Sequence, residues 1–402
     1  MSAPPSYQGL AGRRVLITGG TGFIGGRLAE RLILEVGAEV RALVRTYTHA
    51  SRLARFPIEL VQGDVVDERA VRRAADGCDV VFHCAYGTSG TQRHRARVNL
   101  KGTESVLGAA AAAGVRRVVH LSTLMVYGAT EDGDLDERSP RRFFGDAYSN
   151  SKLRAESLAL SSAASRDLEV TVLQPTAVYG PFGGVWTRNV MSQLASGRVI
   201  LVDGGSGLCN AVYIDDLVSA MLLAAVEAKA AGEAFLISGE EPFPWSELYG
   251  AFETMMGLEE RTVTMSAKEA RSHYRHDRWN RPSIVSEGLR MLRGDEELRD
   301  RVLATREASL AQWMISTVLP EAAQKKLKRR LLSSRSRGGP EPRDSDELPI
   351  HPMSPLMVKF FLPKTRVRID KAKELLGYRP AFDFAAGMER TREWAQWANL
   401  LS

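Results

Sequence analysis

A strand of unbroken apolar character, RVLIT (Arg14–Thr18), runs straight into TGGTGFIG (residues 18–25), and this junction constrains the fold more than any other segment. A glycine at 19 permits a tight turn. One at 22 removes a side chain where backbone must approach a pyrophosphate, and one at 25 lets the following helix lie close to the strand. The helix N-terminus then offers free N–H groups and a positive dipole end to an anion. A strand–helix turn without any ligand is the simpler alternative. Placed at the first strand of a strand–helix series, the pattern instead predicts a dinucleotide site with Gly19, Thr21, Gly22, Phe23, Ile24 and Gly25 around the phosphates.

That series follows. Strands are expected at 39–44, 58–62, 80–84, 118–121 and 170–174, with helical stretches at 23–34 and 98–113. Continuous Val/Ile/Leu runs, rather than alternating ones, mark strands buried on both faces, and strand–helix repetition implies a parallel sheet with right-handed crossovers. The expected fold is therefore α/β, a Rossmann-type doubly wound parallel sheet. Residues 1–180, with about 205–240, form the dinucleotide-binding domain. Residues 181–204 and 241–402 form a smaller, mainly helical substrate region carrying a large helical insertion, about 261–355, without strand signal.

Of 402 residues 44% are hydrophobic, which excludes a disordered chain. Cys78, Cys84 and Cys209 cannot build a disulfide framework and are not spaced like zinc ligands, so no metal is expected. No apolar run reaches the length of a spanning helix, and a reduced, cytoplasmic protein is the default. The net charge of +6 is local: residues 321–343 hold eight basic and two acidic residues, an excess equal to that of the whole chain. The catalytic body is not basic, so no nucleic-acid partner is expected. The basic stretch is a solvated arm or a peripheral membrane contact.

The second strand ends in Val44-Arg45, where an acidic residue would bind the ribose 2′-hydroxyl of NAD. A cation there suits the 2′-phosphate of NADP. Asp64, with Val65 at the end of the third strand, either accepts from the adenine amino group or caps the next helix. Further on, Tyr148 and Lys152 in YSNSK lie one turn apart on one helix face, after a strand ending in Leu121-Ser122-Thr123.

Together, TGGTGFIG, VFHCAY (81–86), VNLKGT (98–103), LSTLMVYG (121–128), YSNSK and QPTAVYGP (174–181) resemble the extended short-chain dehydrogenase/reductase family, the NAD-dependent epimerase/dehydratase group. NAVYIDDL (210–217) and LLGYRP (375–380) resemble its downstream motifs. By position, the resemblance implies that Thr123, Tyr148 and Lys152 are catalytic, that Pro175 and Val178 wall the nicotinamide, and that Ala85 and Asn99 support the cofactor. It also implies a homodimer acting on a small molecule. A phenol titrates near pH 10, and Lys152 is expected to lower that value. His83 and Tyr127 read as packing residues, Tyr179 as a packing residue or a border of the substrate pocket, and Asp215 and Asp216 as helix-start residues. Trp186 and Arg188 either line the substrate pocket or lie on the surface.

Family members that dehydrate nucleotide sugars carry Asp-Glu after the active-site Thr, whereas Leu124-Met125 stand here. The expectation is an NADP(H)-dependent carbonyl reductase or alcohol dehydrogenase acting on a small or lipid-like metabolite. The alternatives are a nucleotide-sugar epimerase with tightly bound NAD, and an NADP-binding sensor or scaffold without turnover.

Overall fold

Seven apolar runs form one parallel sheet in the computed structural model, which describes residues 7–87, 91–143, 145–165, 168–280 and 348–401. The strands are β1 (Arg14–Thr18), β2 (Glu39–Val44), β3 (Ile58–Gln62), β4 (Val80–His83), β5 (Arg117–Leu121), β6 (Glu169–Pro175) and β7 (Ala234–Ile237). Their order, β7-β6-β5-β4-β1-β2-β3, reverses direction between β1 and β4, the switch point at which doubly wound sheets bind ligands.

Alternation along a strand divides the core in two. Val15 and Ile17 of β1 pack in one cluster with Leu28 of α1 (Phe23–Arg31) and Leu217 of α6 (Ile214–Val226). Leu16 faces the other way, toward Val71 of α2 (Glu68–Ala75), Val106 of α3 (Gln92–Ala112) and Ala159 of α4 (Ala147–Ser165). Burial on both faces explains the uninterrupted apolar runs.

The strands expected between 39 and 174 and the helices expected at 23–34 and 98–113 are present, and two corrections follow. β7 reads only AFLI, too short to stand out from its surroundings, and it extends the sheet by pairing with β6. The segment expected to lack strands contains two, Thr262–Met265 and Ile350–His351, which flank Arg198–Val202 in a separate parallel sheet. Thr262–Met265 is only partly buried and its partner lies some sixty residues away, so its short pattern carried no strand signature.

Helix α5 (Asn189–Ser196) precedes that small sheet, and α7 (Trp245–Met256) ends at Gly257 in the left-handed conformation, φ 63°. Helices α8 (Ala267–Asn280), α9 (Pro355–Phe361), α10 (Asp370–Leu376) and α11 (Phe384–Trp397) complete the described chain. The described residues up to 271 and from 350 form one unit. Most of the expected helical insertion, residues 281–347, and with it the basic stretch 321–343, lies outside the described residues. Among the described residues no helix is long and apolar enough to cross a membrane.

Candidate active site

The glycine loop is shaped by contacts that admit no side chain. Gly19 has φ 75°, and a Cβ there would stand 2.7 Å from the Ala85 nitrogen; at Gly25 it would stand 2.4 Å from the Gly19 oxygen. Strand β1, the loop after β4 and the first turn of α1 are thus locked together, leaving exposed Thr21 and Gly22 beside the N-terminus of α1. A cleft of about 460 Å³ opens over them and gathers Gly19, Thr21, Gly22, Arg45, Asp64, Val65 and Ala85. Phe23, Ile24, Gly25, Asn99, Pro175 and Val178 are not in its lining. Phe23 and Ile24 occupy the first turn of α1, and Pro175 and Val178 lie at and just beyond the end of β6. A loop that admits no Cβ at Gly19 or Gly25, set at the N-terminus of α1, fits a dinucleotide phosphate.

At the β2 end of the cleft, Arg45, Thr46 and His49 join the lining, and Asp64 is its sole carboxylate among the described residues. Asp64 accepts from the Val66 N–H at 3.1 Å, but it does not cap α2; Asp67 does, accepting from Arg69 and Ala70. The helix starts three residues later than a cap at 64 allows. Thr46, His49, Tyr86 and His94 went unassigned in the sequence, because nothing in a single residue of a loop or first helical turn signals a lining position.

Thr123, Tyr148 and Lys152 are not in that lining either; α4 carries Tyr148 and Lys152 beside it, against the lining residue Tyr86, and Thr123 follows β5. Asp146 accepts from the N–H groups of Tyr148 (2.8 Å) and Ser149 (2.9 Å), fixing the first turn. An Asp at a helix start is a cap signal that sequence reading could have used. Lys152, 5% exposed, donates to the Leu121 carbonyl at 2.7 Å, and Tyr148, 39% exposed, meets Tyr86 edge-on with ring centres 6.1 Å apart. Thr123 accepts from the Met125 N–H and starts a short 3-10 turn, Leu124–Tyr127. Asn99 is buried behind them. It accepts from the Gly87 N–H at 2.9 Å and donates to Ser151 at 2.7 Å, and Ser151 donates to the Tyr148 carbonyl. One amide therefore ties the loop after β4 to the turn carrying Tyr148.

The electrostatics differ from expectation. Burial of the hydroxyl, then Tyr86, pushes the Tyr148 phenol above its ordinary value, with only partial relief from nearby Thr123. The Lys152 ammonium donates to the Leu121 carbonyl. Burial instead lowers Lys152 itself to about 8, against the opposing influence of Cys84 and Glu156.

His83 shares hydrogens with Thr18 (2.7 Å) and Thr103 (3.0 Å) and is held down to about 3 by burial and then by Lys152. It is neutral at working pH, as a packing residue should be. Tyr127 and Tyr179 are buried, as expected. Asp215 pairs with Arg27 at 2.5 Å, while Asp216 accepts from the N–H groups of Ala381 (2.7 Å) and Phe382 (3.3 Å), roles that reach well beyond their own helix start. Trp186 packs among Trp245, Phe360 and Phe361, and exposed Arg188 donates to the Gly183 carbonyl. No group of three or more His, Cys, Asp or Glu able to hold a metal occurs among the described residues.

Residues 15–238 match the NAD dependent epimerase/dehydratase family over more than half the chain. The chain belongs to that family. The epimerase/dehydratase resemblance extends to a 2-alkyl-3-oxoalkanoate reductase of Stenotrophomonas maltophilia, 32% identical over 64% of this chain and 80% of the relative. A 3β-hydroxysteroid dehydrogenase/Δ5→4-isomerase of Mycobacterium tuberculosis is 32% identical over 57% of this chain and 65% of its own length. Among solved structures, an epimerase from Methanothermobacter thermautotrophicus superposes with TM-score 0.66 at 20% identity, covering 98% of this chain and 96% of its own. A UDP-glucose 4-epimerase from Thermotoga maritima gives 0.63 at 19%, covering 96% and 99%. At these identities the structures establish the fold alone. The protein is an NAD(P)-dependent enzyme of the extended short-chain dehydrogenase/reductase type.

Proposed function

We propose that this enzyme is an NADP(H)-dependent carbonyl reductase or alcohol dehydrogenase acting on a small or lipid-like metabolite, with Thr123, Tyr148 and Lys152 as its catalytic set. The observation that carries the reading is Tyr148 beside Thr123 and one helical turn from Lys152, with its ring against Tyr86, which lines the phosphate-loop cleft. Held by the glycine loop, a nicotinamide dinucleotide would supply hydride exchange. Tyr148 would donate or take the proton of the substrate oxygen, and Thr123 would hydrogen-bond that oxygen. The Lys152 ammonium would hold the ribose and favour the phenolate as the proton leaves. Asn99 would keep the two walls of the cleft in register.

Arg45, with Thr46 and His49, supports NADP, since a guanidinium and neighbouring donors suit a 2′-phosphate. The reductase and hydroxysteroid dehydrogenase relatives support carbonyl–alcohol chemistry over epimerisation. Leu124-Met125 supply no second acid and base for dehydration.

The test combines thermal shift with NADP and NAD and turnover on a panel of alkyl, cyclic and sterol ketones. NADP should shift the melting point more, because ligand bound only by the folded state stabilises it logarithmically with saturation. Tyr148→Phe should lose on the order of 10²-fold or more in kcat while still binding cofactor. A larger shift with NAD overturns the cofactor assignment, and retained turnover in Tyr148→Phe overturns the catalytic set.

A further inference from the structure

A carboxylate with no accessible surface lies directly behind the candidate site. Glu156 is 0% exposed, one helical turn beyond Lys152 on α4. It accepts from the Ser122 hydroxyl at 2.5 Å, from the Gln174 amide at 2.8 Å and from the Arg141 guanidinium. Gln174 in turn accepts from the Tyr127 hydroxyl at 2.8 Å. Burying a carboxylate is costly unless every lone pair finds a donor, and here three donors converge from β6, the end of β5 and the loop before α4. Two of those contacts bear on the site. Ser122 is the residue before Thr123, and Leu121, before that, accepts from Lys152.

We propose that Glu156 is a positioning residue of the reaction: it fixes the Ser122–Thr123 corner opposite Tyr148 and supplies the buried negative charge that keeps Lys152 an ammonium. This rests on the catalytic set proposed above. Side chains four apart on a helix approach within about 6 Å, close enough for strong coupling in a dry interior. The other groups facing Lys152 are His83 from β4, Cys84 just after it, His120 from β5, and Tyr86, whose ring centre lies 5.6 Å from its Nζ. Cys84 is pushed up to about 12 and both histidines are held well below their ordinary value by burial, so all three are neutral at pH 7. Glu156 is the carboxylate acting on Lys152, and Arg141 balances its remaining charge.

The experiment compares wild type, Tyr148→Phe, Glu156→Gln and Glu156→Asp in kcat between pH 6 and 10, in cofactor affinity, and in unfolding by urea across the same range. Loss of the carboxylate should move the alkaline limb of kcat down by about one pH unit, with cofactor affinity within about threefold. In unfolding, the rise in stability above about pH 8 should begin correspondingly earlier. Glu156→Asp keeps the charge but shortens the reach to Ser122, so it should keep the limb in place and lose kcat several-fold. A residue that merely packed would lower the melting temperature without moving either limb. An unmoved limb and unmoved unfolding profile in a folded Glu156→Gln, with Tyr148→Phe inactive, overturn the proposal. Turnover in Tyr148→Phe instead overturns the catalytic set, and the unfolding profile then decides the role of Glu156 by itself. If Glu156→Gln does not fold, wild-type kcat in Glu156→Asp is the result that overturns it.

Discussion

At the residue scale, the same buried lysine that suits the chemistry burdens the fold. Lys152 is lowered to about 8 in the folded protein, while an unfolded lysine stands near 10.5. Between those values the unfolded chain binds more protons, so this group adds stability as pH rises from about 8 and withdraws it as pH falls through 8. Replacing it by Met should remove that slope. Urea unfolding from pH 7.5 to 10 should show wild type gaining on the order of 2–3 kcal/mol relative to Lys152→Met, and parallel curves would refute the linkage. Gly25 makes a second residue-scale case. A Cβ there would press 2.4 Å from the Gly19 oxygen, so Gly25→Ala should spread the loop and cost about 1–3 kcal/mol together with most cofactor affinity. A melt and a cofactor titration would measure both losses. The glycines and the Tyr148/Lys152 spacing were legible in sequence because each is a local rule. The upward shift of Tyr148 was not, since it depends on which side chains bury the hydroxyl.

At the element scale, α4 converts a four-residue spacing into a working face. Its first turn hangs on Asp146, whose carboxylate takes the N–H groups of Tyr148 and Ser149. Asp146→Ala should cost about 1 kcal/mol of stability and, by loosening the turn carrying Tyr148, lower kcat more than it weakens cofactor binding. Equal loss in both would place the effect outside this turn. The strands of the main sheet were readable because burial on both faces leaves continuous apolar runs. Thr262–Met265 and Ile350–His351 were not readable, because each is short and only partly buried, and pairs with a strand far along the chain.

For the whole molecule, the C-terminal segment is fastened to the Rossmann body through Asp216, whose carboxylate takes the Ala381 and Phe382 N–H groups, and through Tyr378, whose hydroxyl donates to the Ser238 carbonyl. Burial raises Asp216 to about 6, so its stabilising contribution is fully present below about 4 and fades as pH rises through 6. Asp216→Asn should abolish that slope in urea unfolding between pH 4 and 7 without changing cofactor affinity, and an unchanged slope would assign it to other groups. The amino-acid sequence by itself determined the doubly wound sheet, the glycine cradle and the helix turn bearing Tyr148 and Lys152, because each is encoded by periodicity or spacing within some twenty residues. Only the tertiary structure decided that Asp216 serves as a clasp, that Asn99 bridges two walls of the cleft and that Glu156 is buried behind Thr123. Those roles are created by residues far apart in the chain meeting where water is excluded, and the protonation state of a buried group is set by that meeting.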